Sequence, residues 1–171
     1  VHEGTGILIH GNENIPVSKN DFIYIPEGEK FGFSNPREQS LAVIVMGFRL
    51  EPASCSKLKT GLKLANTDQI KFQVLPGHGP TTRFQLMLGT TDSKRDRLAA
   101  SCMVTSLFIM DFASGGTNNP HRHRDEEEIY LILKGRGDIV AGETADGKEL
   151  RHFSAEGDSH FFPPKTQVSF Y

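Results

Sequence analysis

Two histidines one residue apart, followed by a glutamate at the head of an apolar run, constrain this chain more than any other feature. The segment reads Gly115-Gly116-Thr117-Asn118-Asn119-Pro120-His121-Arg122-His123-Arg124-Asp125-Glu126-Glu127-Glu128 and continues to Gly135. In an extended strand alternate side chains share a face, so His121 and His123 point one way and Arg122 the other. Residues 124–127 are too charged for a core and read as a turn. Glu128 then opens a strand, Ile129-Tyr130-Leu131-Ile132-Leu133, that stops at Lys134-Gly135. A carboxylate heading a buried strand is costly unless something compensates its charge. A divalent cation held by the two imidazoles would do so.

Composition narrows the fold without choosing it. A chain of 171 residues fills one good domain or one and a half small ones. Hydrophobic content of 37% with 17 Gly and 9 Pro suits an all-β protein with many turns better than a helical bundle. A net charge of −2 gives no electrostatic case for nucleic acid or an anionic membrane. No apolar run approaches the roughly 20 residues that span a bilayer. Cys55 and Cys102 lie far apart without a C-x-x-C pattern, so a disulfide framework is not expected and a reducing, cytoplasmic compartment fits.

The chain also repeats itself. Val1-His2-Glu3-Gly4-Thr5-Gly6 aligns with Ile132-Leu133-Lys134-Gly135-Arg136-Gly137, and Asp21-Phe22-Ile23-Tyr24-Ile25-Pro26 with Asp158-Ser159-His160-Phe161-Phe162-Pro163. A repeat of this length is domain-sized rather than solenoid-sized. Strands are predicted at 22–25, 41–48 (apolar enough for burial on both faces), 71–75, 83–88 and 100–112. A short helix is predicted near 56–64, a charged loop at 92–98, and a hairpin turn at Asp146-Gly147.

With Gly115, His121, His123, Glu128 and Gly135 in place, the segment resembles the first cupin motif, G-x5-H-x-H-x4-E-x6-G, at every spacing. The later element resembles the second motif, G-x5-P-x-G-x2-H-x3-N. In the second copy Gly157 and Pro163 fit it, Lys165 stands at a glycine position and Val168 at the family's third histidine. In the first copy Pro26, Gly28 and Asn35 fit, whereas Asn20 replaces the leading glycine and Phe31 the histidine. The resemblance implies jelly-roll β-barrels in a bicupin arrangement that this chain shows truncated at both ends. Residues 1–50 would be later strands of a first cupin, 51–65 a connector, and 66–171 a second cupin carrying the metal motif. A homodimer whose chains exchange strands is another way to complete each barrel.

The resemblance also implies a metal on His121, His123 and Glu128. Two imidazoles and one carboxylate suit Fe(II), Mn(II), Ni(II) or Zn(II), with Fe(II) favoured by a three-ligand set that leaves positions open. His160 and Gln167 are candidate replacements for the ligand that Val168 cannot provide. The first cupin is expected to be structural, with Phe22, Phe31 and Phe33 as core. Tyr130 shares the face of Glu128, while Glu126 and Glu127 are expected to be solvated. The function that follows is a metal-dependent enzyme acting on a small organic molecule, with a dioxygenase favoured. The alternatives are a non-catalytic ligand-binding or structural cupin, and a metal-dependent isomerase or lyase that needs no O2.

Overall fold

The computed structural model describes residues 1–49, 61–144 and 146–171. Among them the regular structure is thirteen strands and one turn of 3-10 helix, Thr67–Gln69, so the fold is all-β as composition indicates. The chain divides into two compact units. One comprises Val1–Phe72 with Gln85–Ile109, the other Gln73–Phe84 with Met110–Tyr171.

In the first unit β1 (Thr5–His10) lies between β2 (Glu13–Ser18) and β4 (Phe31–Ser34), both antiparallel to it. The β1–β2 turn is Gly11-Asn12, with Gly11 at φ 58°, where a two-residue hairpin needs a left-handed backbone. Leu8 in the middle of β1 is fully buried and faces Ile15 and Phe33 across the ladders. Strand β3 (Asp21–Tyr24) pairs with β5 (Lys63–Asn66). Their Phe22 and Ala65 join Met87 of β6 (Thr82–Thr90) in a core cluster. Leu98 of β7 (Leu98–Ser101) and Leu107 and Ile109 of β8 (Ser106–Phe112) pack against it.

The second unit repeats the pattern. Here β10 (Arg136–Glu143) lies between β11 (Glu149–Ala155) and β13 (Val168–Phe170), while β9 (Glu128–Leu131) pairs with β12 (Ser159–Phe162). Ile139, Phe162 and Val168 form its core, with Tyr130, Ile132, Ala141 and Phe170 against them. Backbone conformation matches the repeat where the residue types do not. Among the described residues only two non-glycines have positive φ, Asn20 at 72° and Lys165 at 71°. Asn20 aligns with Gly157, at φ 92°, and Lys165 with Gly28, at 81°. Each copy thus keeps the same two left-handed turns, one on glycine and one on a costlier residue.

Several local expectations are corrected. The apolar run 41–48 is not a buried strand: Ala42 bridges Glu3, but Ile44, Val45, Met46 and Phe48 are exposed. Such a run becomes a doubly buried strand only where neighbours cover both faces. The run 100–112 is broken between β7 and β8, where the Ser101 hydroxyl accepts from the Met103 and Val104 amides. Residues 71–75 make a single bridge, Gln73 to Phe84. In β9 only alternate residues turn inward, leaving Ile129 and Leu131 exposed, with Phe161 exposed opposite Ile129. Phe31 is exposed rather than core, whereas Phe22 is buried. The helix expected near 56–64 falls outside the described residues up to position 60, and Leu64 belongs to β5. Against expectation Cys102 is disulfide-bonded; the chain's other cysteine, Cys55, lies outside the described residues. No helix among the described residues is long and apolar enough to cross a membrane.

Candidate metal centre

The three residues singled out by spacing come together in the second unit. Donor atoms of His121, His123 and Glu128 all lie within 4.8 Å of one another, and among the described residues this is the one such group of His, Cys, Asp or Glu. His123 Nε2 is 3.2 Å from Glu128 Oε1, and His121 Nε2 is 4.0 Å from the same oxygen. The two imidazole rings stand almost perpendicular, with centroids 5.3 Å apart. Donors sharing one first-row ion, with bonds of about 2.0–2.2 Å, sit roughly 3 Å apart. The His123–Glu128 pair already has that separation, and the donor types fit a divalent transition metal.

Backbone bonds rather than a regular strand place the histidines. His121 forms an isolated bridge with Val168, its amide donating to the Val168 carbonyl at 3.0 Å and its carbonyl accepting from the Val168 amide at 2.8 Å. His123 lies outside any strand, and its carbonyl accepts from the Lys165 amide at 2.6 Å. The strand expected over both histidines is thus a single bridge and a loop, because β13 pairs with His121 alone. The left-handed turn at Lys165 aims that amide back at His123. Glu128 is carried by the first residue of β9, opposite Phe162 of β12.

One ring nitrogen is assigned by its partner. His121 Nδ1 lies 3.0 Å from the Asn119 carbonyl oxygen, which can only accept. Nδ1 therefore carries the proton, and in the neutral ring the Nε2 lone pair points free toward Glu128. This is how an outer partner fixes the tautomer of a metal-binding histidine. The Asn119 side chain meanwhile donates to the Gly77 carbonyl at 2.7 Å, tying a distant loop to the same segment.

Tyr130 lies two residues beyond Glu128, on its face of β9. Burial, and secondarily the Glu128 carboxylate, raises its phenol well above the usual tyrosine range, so it remains an O–H donor. Its ring meets Phe162 edge-on at 5.1 Å. Glu126 and Glu127 are exposed. His160 is engaged elsewhere: its Nε2 is 2.9 Å from the hydroxyl of fully buried Ser154. Gln167 is exposed, and Val168 is buried in the core.

Sequence spacing does not reveal His78. Its ring lies edge-on to His121 with centroids 5.6 Å apart, and against Phe84 at 4.8 Å. Burial, then the positive charge that His121 and His123 would carry, lowers its pKa. The one sequence signal is a polar ring between two glycines, and nothing in it says where the loop folds.

Comparisons with known proteins bear on fold. Residues 108–170 match the family model described as Cupin domain, just over a third of the chain and the part that holds His121, His123 and Glu128. No curated protein matches the chain in sequence. The crystal structure of protein Ylba from E. coli is similar with a TM-score of 0.56 and 14% identity, over 100% of this chain and 60% of that one. A crystal structure from Pseudomonas aeruginosa, of a protein provisionally named glyoxylate induced, gives 0.52 and 15%, over 99% of this chain and 62% of that one. Such identities speak to fold alone, and the chain spans about three fifths of each of those structures. The segment that holds His121, His123 and Glu128 is thus similar to a cupin domain, and the chain shares an all-β fold with those two structures.

Proposed function

We propose that His121, His123 and Glu128 bind one divalent transition-metal ion, and that the protein is a metal-dependent cupin enzyme acting on a small organic molecule. The observation that carries this reading is the convergence of two imidazole nitrogens and a carboxylate oxygen within 4.8 Å. A two-histidine, one-carboxylate set leaves coordination positions open, which favours a non-heme iron-type dioxygenase over other cupin chemistries. A bound Fe(II) would supply Lewis acidity toward a substrate oxygen and redox chemistry with O2.

The chain's own groups set the rest. Glu128 cancels one of the ion's two charges, so the site retains net positive charge and favours a substrate with an anionic oxygen. Asn119 holds the His121 tautomer that keeps Nε2 available. Tyr130, kept protonated, can donate to an oxygen on the Glu128 face. The matching strand orders β2-β1-β4 and β11-β10-β13 support a tandem of two cupins, the second carrying the site.

The test is metal content and gas dependence. Purified protein reconstituted with Fe(II) should hold close to one equivalent, and His121→Ala should reduce this severalfold while leaving the far-ultraviolet circular dichroism unchanged. Retention of full metal content by His121→Ala sinks the site. Turnover of a substrate found by screening small oxyanions should stop under strict anaerobiosis; turnover that persists would move the assignment to an O2-independent isomerase or lyase.

A further inference from the structure

The loop from Gln73 to Phe84 brings a third imidazole to the candidate centre. Its arms are closed by a two-way backbone bridge, Gln73 amide to Phe84 carbonyl at 3.0 Å and Phe84 amide to Gln73 carbonyl at 2.8 Å. Its tip, Pro76-Gly77-His78-Gly79-Pro80, is anchored to the motif segment by the bond from Asn119 Nδ2 to the Gly77 carbonyl. The His78 ring is therefore aimed, wedged between fully buried Phe84 and the ring of His121. Its spacing to His121, 5.6 Å between centroids, is close to the 5.3 Å between His121 and His123. Among the described residues the ring nitrogens of His78 have no hydrogen-bond partner. An imidazole taken partly out of water with no partner is a cost that a ligand would offset.

We propose that His78 is a third imidazole ligand of the metal, completing a site of three histidines and one glutamate; this rests on the reading that His121, His123 and Glu128 hold the ion. His78 is not among the three residues whose donors already converge. Gly77 and Gly79, at φ 86° and 80°, give the tip the backbone freedom to carry the ring inward, while Pro76 and Pro80 stiffen the arms. A lone pair on a neutral ring is what coordination requires, and an added donor strengthens binding. The tip is thus a ligand-bearing arm that closes on the ion.

The experiment uses zinc as a diamagnetic probe and follows the imidazole nitrogens of 15N-labelled protein by NMR during titration with Zn(II). The expected result is that one ring nitrogen each of His78, His121 and His123 moves to the zinc-bound shift at one equivalent. His78→Phe, which keeps an aromatic ring against His121, should lose the His78 signals and weaken zinc affinity by roughly tenfold or more. If His121 and His123 shift while His78 does not, or if His78→Phe binds zinc as tightly as the parent, the third ligand is refuted and the three-residue site stands. If no histidine nitrogen shifts, the site itself fails and this inference with it. The parent titration decides the question even where a variant does not fold.

Discussion

Glu128 and Tyr130 show how one strand face sets two opposite protonation demands. The carboxylate must stay charged to serve an ion, while the phenol beside it is held neutral by burial and by that same carboxylate. The phenol's pKa is higher folded than unfolded, so between the two values the folded state binds the extra proton. Its contribution is therefore fully present below the ordinary value of 10.0 and is lost as pH rises through the folded value. In the presence of a chelator, urea unfolding midpoints should fall between about pH 9 and about pH 11. The fall should be shallower in Tyr130→Phe; equal slopes would show that the phenol does not titrate as described. At this scale the sequence was legible where residues carry chemistry at fixed spacing. His121, His123 and Glu128 could be named because a short local segment brings them together. His78 could not, because a long intervening stretch and a loop tip decide where its ring lands.

The turn that follows β12 is the element with the clearest compromise. Lys165 occupies a left-handed conformation that costs a side-chain-bearing residue roughly 1–2 kcal/mol, and the corresponding position in the first copy is Gly28. Lys165→Gly should raise stability by up to about 1 kcal/mol, once the greater freedom of glycine in the unfolded chain is deducted. Thermal melts check the gain, and a lower melting temperature would mean that the lysine side chain contributes something its backbone conceals. Elements were less legible than residues. The turn at Asp146-Gly147 followed from residue type, but an apolar run such as 41–48 indicates only a preference for burial. Whether a neighbour supplies that burial is a property of the fold, and here Val45 is 67% exposed. The β9 run misled for the same reason, since its period-two exposure depends on which face meets Phe162 and Ile139.

At the scale of the whole chain, the two units have separate cores, one around Phe22, Ala65 and Met87 and the other around Ile139, Phe162 and Val168. Truncating fully buried Ile139 to alanine should cost roughly 2–5 kcal/mol in the second. Hydrogen exchange should then accelerate across residues 128–170 and leave β1 to β4 near the parent rates, as expected for cooperative units of unequal stability. Uniform acceleration along the chain would show a single cooperative fold instead. The repeat was readable in sequence because glycine and proline mark its turns, yet its agreement in strand order was not, since that depends on pairing rather than composition.

The backbone bridge between His121 and Val168 has a further consequence. It draws on peptide groups and the β10–β13 ladder, none of which is contributed by an ion. In small zinc domains the folding energy and the binding energy are one quantity, and chelation unfolds them. At the proposed site the two should be separable, so that chelation removes a bound ion and leaves the far-ultraviolet circular dichroism unchanged.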